Sequence, residues 1–267
     1  MNQKLENMGH NHHEELLNQE WLNTSSNLFL EKLGQNADLQ FFLESTPELK
    51  SAFEKPGDTL ECSDGRVNCG GIKMGLAGEG IFLKGQDRQD FVAQNKGRIK
   101  KVTSHVNCGA LDLEAKTNGL PDGIENADDL GKKKAEELAT ELGAEYEHVT
   151  KLLSEVHNER VLVLDCTGYF NPKAWEKMPP HFISSAPALG LGEDYAKTEV
   201  KILTGIALSD HGFGKRFSAD TPFFIVIAAN NPKELDLYRQ AMQISLAEFE
   251  DRVQIEGFIA PPLIKKD

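Results

Sequence analysis

Apolar positions along the chain change their period more than once. Between residues 13 and 33, Leu16, Leu17, Trp21, Leu28, Leu30 and Leu33 recur at helical spacings, interrupted at Asn23-Thr24-Ser25-Ser26. One or two helices are predicted there. Over 36–55 a second stripe of Leu39, Phe41, Phe42, Leu43, Leu49 and Phe53 ends at Pro56-Gly57-Asp58. Pro47 splits this stripe, because proline suits a first helical turn, here with Thr46 as cap, better than a helix interior. Short apolar pieces bounded by glycine follow. Thr59-Leu60-Glu61-Cys62, Ile81-Phe82-Leu83 and residues 98–104 read as strands, with a short helix around Phe91. Helix formers dominate 126–155, with Asn126 or Asp128 as N-cap. Strands at 160–165, 199–208, 222–229 and 253–259 and a helix over 232–251 complete the pattern, and the Pro/Gly-containing stretch 171–193 reads as loop.

Strand and helix alternate, which argues for an α/β fold with a mostly parallel β-sheet flanked by helices. An N-terminal helical arm over 1–55 leads into an α/β domain over 56–267, and no internal repeat is visible. The longest apolar run, 223–229, has the length of a buried strand and falls far short of the about 18 residues a membrane helix needs. With 29 Lys+Arg against 42 Asp+Glu the net charge is −13. Duplex binding draws its affinity from clustered basic residues, so neither nucleic acid nor a membrane is an expected partner. The N-terminus lacks the apolar core of a secretory signal, and the chain reads as cytoplasmic.

Thiols in a reducing compartment serve as metal ligands, catalytic groups or core residues. Of the four cysteines, Cys62 opens Cys62-Ser63-Asp64-Gly65-Arg66 directly after one predicted strand. Cys108 closes His105-Val106-Asn107-Cys108 after another, with Gly109 next. Two thiolates and an imidazole from two strand ends form the three-ligand set of a catalytic Zn²⁺, which keeps its fourth position open. The carboxyl ends of parallel strands are also where sites form. Asp64 and Arg66 alternate with Cys62, so the carboxylate is placed to orient a metal-bound water and the guanidinium to hold that carboxylate ionised. Thiolates donate strongly, so such a water is expected to be less acidic than in a three-His site, where its pKa is about 7, and activity is expected to rise toward alkaline pH.

C-x-D-x-R followed about 40 residues later by H-x-x-C-G resembles the β-class carbonic anhydrases. Gly78-Glu79-Gly80-Ile81-Phe82 looks like a degraded form of that family's Gly-Asp-x-Phe-Val strand, and the RNAGN-like segment that follows it there is absent. The likeness spans roughly residues 55–115, leaving the rest as a C-terminal elaboration. It implies a β-carbonic-anhydrase-like fold and reversible hydration of CO₂ to bicarbonate by a zinc-bound hydroxide. Cys62, His105 and Cys108 would be the zinc ligands, and Asp64 and Arg66 the catalytic pair. In the family this Asp can instead ligate the metal in a closed form. The resemblance also implies a homodimer or higher homo-oligomer, for which residues 13–54 would be a clasp. Hydrolysis of CS₂ or COS on the same zinc is an alternative, as is a non-catalytic zinc protein closed by Cys69 or Asp64.

The remaining signals are weaker. Cys69 and Cys166 read as packed thiols, and His10, His12 and His13 as a solvated tail that resembles a metal-scavenging tag. His211, in Asp210-His211-Gly212-Phe213-Gly214, reads as a loop residue with a role at the site mouth as the alternative. His157 and His181 carry little information, and Phe82, Phe170 and Phe213 are candidates for shaping access. Residues 75–80 lack the Lys-Ser/Thr of a phosphate-binding loop.

Overall fold

In the computed structural model, which describes residues 2–35, 38–53, 55–67, 69, 71–210 and 212–262, the two N-terminal stripes fold as four helices. These are α1 (Asn2–Thr24), α2 (Leu28–Gly34), α3 (Leu39–Ser45) and α4 (Pro47–Ser51). The Asn27 side chain accepts from the backbone N–H groups of Phe29 and Leu30 and starts α2, Asp38 does the same for α3 through Phe41, and Pro47 opens α4. Then follow β1 (Thr59–Cys62), β2 (Lys73–Leu76), α5 (Gly85–Asn95), β3 (Lys101–His105), α6 (Gly109–Asn118), α7 (Ala127–Leu142) and β4 (Glu145–Val149). The rest of the chain forms β5 (Val161–Asp165), β6 (His181–Ser184), α8 (Glu193–Ala207), β7 (Phe223–Ala229), α9 (Pro232–Ser245) and β8 (Val253–Ile259).

The strands form two sheets, ordered β2-β1-β3-β4 and β6-β5-β7-β8, and every pairing within them is parallel. This is the α/β architecture expected, with a doubling that was not. Both sheets follow one plan. β5 stands where β1 does, β6 where β2 does, β7 for β3 and β8 for β4, and a helix joins the second strand to the third in each. The absence of a repeat in the sequence thus does not extend to the topology. A strand–helix path asks only for apolar faces of the right period, so two halves can share it without sharing residues.

Other differences from the sequence reading have local causes. Ile81-Phe82-Leu83 is not a strand; the strand is β2, and it stops because Gly78, Glu79 and Gly80 all take positive φ (53°, 54° and 88°). Residues 199–207 lie in helix α8, which Leu208 caps and whose buried residues Ala196, Val200, Leu203 and Ala207 keep helical spacing. Gly143 in the left-handed conformation ends α7, and β4 follows within the stretch expected to stay helical. The presumed loop 171–193 contains β6, and α6 had no counterpart in the pattern.

Alternation along the second sheet sends its side chains to two different cores. Leu162, Leu164, Phe182, Phe223, Ile225 and Ile227 join the main core with Leu60, Met74 and Val102 of the first sheet. On the other face Val161, Val163, Ile183, Phe224 and Val226 pack with Phe29, Leu33, Leu43 and Phe53 of the helical arm and with Trp175. The arm therefore covers the second sheet. Arg160 fastens α1: its guanidinium stacks 3.7 Å above the Trp21 ring and donates to Thr24 Oγ1 at 2.9 Å. Among the described residues no helix is long and apolar enough to cross a membrane.

The two sheets meet at β2 and β6. Ile183 N donates to Ser63 O at 3.0 Å and Ser185 N to Gly75 O at 2.8 Å. A Cβ at Gly65 would lie 2.1 Å from His181 O, and one at Gly75 would lie 2.0 Å from Ile183 O. Glycine is required at both positions by the closeness of the neighbouring backbone.

Candidate metal centre

Cys62 is the last residue of β1, His105 the last residue of β3, and Cys108 caps helix α6. Parallel pairing of β1 with β3 brings these ends together. The two Sγ atoms are 3.7 Å apart, and both lie within 4.8 Å of an imidazole nitrogen of His105. All three side chains are buried. The His105 ring is oriented by a 2.9 Å hydrogen bond in which Nδ1 donates to the Val106 carbonyl, leaving Nε2 with no hydrogen-bond partner among the described residues. Burial opposes ionisation of Cys62, yet its bond from Cys108 and the nearby His105 pull its pKa down. Cys108, sharing that bond from the other side and also buried, is pushed up. Two adjacent thiolates repel, and a divalent cation is what lets both ionise. The group could hold a metal ion.

Beside it lies the acid–base pair expected from sequence. The Asp64 carboxylate accepts from Arg66 N at 2.9 Å, Nε at 3.0 Å and Nη2 at 2.7 Å, with both side chains almost fully buried. Burial works against ionisation of Asp64, but the Arg66 guanidinium, which donates to both of its oxygens, more than offsets it and holds the carboxyl well below the usual carboxylate range. Lys73 Nζ donates to the Asp64 carbonyl at 2.6 Å and fixes the turn.

The chain matches no family model, no curated protein and no solved structure.

Several atoms of the site were not singled out in the sequence. Arg66 Nη2 lies 3.0 Å from His157 Nε2, and His157 Nδ1 lies 3.2 Å from Glu159 Oε2. Guanidinium has only donors, so Nε2 is the acceptor and Nδ1 carries the proton toward Glu159. Asp64, His157 and Glu159 also lie within 4.8 Å of one another, but Arg66 sits among them as the cation. From α8, Glu199 accepts from Ala77 N and from Ser184 Oγ; burial raises its pKa to about 7. Glu79, in the left-handed turn after β2, is buried, with Oε1 3.9 Å from His105 Nε2. Burial and the charge on Cys62 push its pKa up. The only local signal was His157-Asn158-Glu159 directly ahead of an apolar strand.

The other candidates lie apart from the ligands. Cys69 is half-buried, its pKa raised by burial to about 12, and Cys166 is buried just past β5, its pKa raised by the same cause; neither belongs to the ligand group. Phe213 packs edge-on against Trp21, Phe170 lies against Phe53 in the arm core, and Phe82 packs on the main core. Nδ1 of His181 donates to Pro179 O, and burial lowers the pKa of this side chain to about 4. His12 is exposed; His211 and the side chain of His10 lie outside the described residues. A groove of about 1120 Å³ between α6 and α8 is lined by Arg66, His157, Gly109, Ile202 and Ile206, with His13 at its wall. Cys62, His105 and Cys108 do not line it.

The corresponding places in the second sheet carry other residues. β5 ends at Asp165, β7 ends at Ala229, and Asn231 caps α9. Asp165 is occupied in a turn, accepting from Thr167 N and Gly168 N, and Asn231 accepts from Glu234 N.

Proposed function

We propose that the protein is a zinc-dependent carbonic anhydrase, catalysing reversible hydration of CO₂. The observation that carries this reading is the convergence of Cys62, Cys108 and His105, whose Nε2 has no hydrogen-bond partner among the described residues, beside a carboxylate clamped by Arg66. Two thiolates and an imidazole are preferred zinc donors, and Zn–S bonds of about 2.3 Å at the tetrahedral angle require sulfurs about 3.8 Å apart. The separation of 3.7 Å fits.

When bound, zinc supplies the Lewis acidity that brings the ionisation of water down toward neutral pH. Cys62, His105 and Cys108 would hold it, and the Val106 carbonyl engages Nδ1 and so leaves Nε2 for the metal. Asp64 stays ionised because Arg66 donates to both of its oxygens, and so acts as an acceptor that orients the attacking oxygen. Arg66 is positioned in turn by His157, and His157 by Glu159. Burial of the whole set keeps bulk water from competing for these hydrogen bonds.

Stopped-flow CO₂ hydration on protein of known zinc content tests the reading. The wild type should turn over, with activity rising toward alkaline pH. Asp64→Ala should keep its zinc and lose about a hundredfold in rate, the scale of loss for a group that orients a metal site. Cys62→Ser should lose zinc and activity together. Zinc at one per chain without hydration at about pH 8.5 would overturn the proposal, and CS₂ or COS turnover in that sample would redirect it.

A further inference from the structure

We infer that Glu79 is a fourth ligand of the metal, completing a set of two thiolates, one imidazole and one carboxylate that closes the resting site. The inference rests on the metal-site reading above and adds the group that sequence reasoning sought in Cys69 or Asp64. Asp64 is unavailable for this role: Arg66 donates to both of its oxygens, and His157 holds Arg66. Cys69 is half-buried among Glu61, Thr103 and Glu147 and, unlike Glu79, has no polar contact with any of the three ligands among the described residues.

Glu79 has the opposite character. It is only 2% exposed, and neither carboxylate oxygen has a hydrogen-bond partner among the described residues. A buried carboxylate without donors is unfavourable unless a cation accompanies it. Its Oε1 lies 3.9 Å from His105 Nε2, which itself has no hydrogen-bond partner among the described residues and is the ring atom left for metal. Nitrogen and oxygen ligands at about 2.0–2.1 Å from a tetrahedral ion stand roughly 3.3 Å apart; the Glu79 carboxylate is near the imidazole but outside the 4.8 Å group that the ring and the two sulfurs form, so it must rotate toward the sulfurs to complete the set.

The backbone points the same way. Glu79 holds φ 54° between two glycines that also take positive φ, a conformation costly for a residue with a Cβ. The turn is wedged in place: a Cβ at Gly78 would stand 2.7 Å from Ile81 Cγ2 and 3.4 Å from Ala110 Cβ, at the start of the helix that Cys108 caps. Glycine would relieve the strain at 79, yet a carboxylate occupies the position and faces the imidazole. Closure also accords with the groove, which reaches Arg66 and His157 and not the sulfurs. For solvent to reach the metal, the Glu79 carboxylate must leave it.

Cobalt substitution tests this without recourse to activity. In the wild type loaded with Co²⁺, thiolate coordination should give a near-ultraviolet charge-transfer band, and the visible spectrum should be unchanged by added azide at about pH 6–7, below the alkaline range in which the carboxylate gives way and turnover is expected. Glu79→Gln should keep the charge-transfer band, acquire an azide-dependent visible spectrum in that same range, and bind metal about tenfold more weakly. Glu79→Gly, which suits the left-handed backbone and so should fold, should behave likewise. A wild-type spectrum that responds to azide as the variants do, or variants that stay as silent as the wild type, would overturn the inference. Absence of the charge-transfer band in the wild type would instead remove the metal-site reading on which it rests.

Discussion

The two halves of the chain share a strand order and differ where the strands end. In the first, β1, β3 and the cap of α6 finish in a thiol, an imidazole and a second thiol. At the same places the second half has a carboxylate held in a turn, a methyl group and a capping amide. Their strands differ as well. All of β7, Phe223–Ala229, is buried and apolar, whereas β1 carries Glu61 fully buried among its four residues. Parallel topology supplies a location for chemistry, and a few residues at strand ends decide whether it is used. The second half still serves the first: His157 and Glu159, just ahead of β5, position Arg66, and Glu199 of α8 holds the turn after β2.

The strongest way to break this partnership is Gly65→Ala. Its Cβ would meet the His181 carbonyl at 2.1 Å, and a backbone atom cannot give way cheaply. We expect a loss of about 3 kcal/mol or more in urea unfolding, together with loss of metal binding. Gly205→Ala, in the interior of α8 with open space around it, should instead be neutral or stabilising. Equal stability of Gly65→Ala and the wild type would show that the halves do not press together as described.

Glu199→Gln sharpens the comparison through pH. The pKa of Glu199 is raised by burial from 4.5 to about 7, so its proton is held more tightly in the folded chain. The stability this confers is complete below pH 4.5 and is lost as pH rises to 7. The loss amounts to at most roughly 3 kcal/mol. Glutamine stays neutral, so the variant should lack this slope in urea unfolding measured across the window; parallel curves for the two proteins would refute the account.

The smallest effect belongs to the second half's own strand end. Asp165→Asn should cost about 1 kcal/mol through the turn bonds to Thr167 and Gly168 and leave zinc content unchanged. A fall in zinc on titrating this variant with the metal would mean that the second strand end takes part in binding after all.

The ligand group was legible because its members sit within a few residues of two strand ends and are chemically scarce. Cys62-x-Asp64-x-Arg66 and His105 to Cys108 each declare themselves locally. Glu79 was hidden in a segment read as leading into a strand, where only the run of positive φ reveals that the chain turns back toward His105. His157, Glu159 and Glu199 reach the site through packing between sheets, and the only local trace of that is His157-Asn158-Glu159 ahead of a strand. Glu199 was concealed further by its neighbours, since Val200, Ile202 and Leu203 imitate a strand while the buried positions keep a helical period. β2 escaped notice because Lys73 and Gly75 interrupt its apolar character. Lys73 is engaged with the Asp64 carbonyl, and Gly75 lies against Ile183.

The pentapeptide Cys62-Ser63-Asp64-Gly65-Arg66 answers to two masters. Its first, third and fifth residues supply the ligand and the ion pair, while the second and fourth are occupied by the other half of the molecule, through the Ile183-to-Ser63 hydrogen bond and the close approach of His181 to Gly65. No residue in the motif is a spacer. Transplanted into another scaffold, these five letters would carry their chemistry and lose their footing.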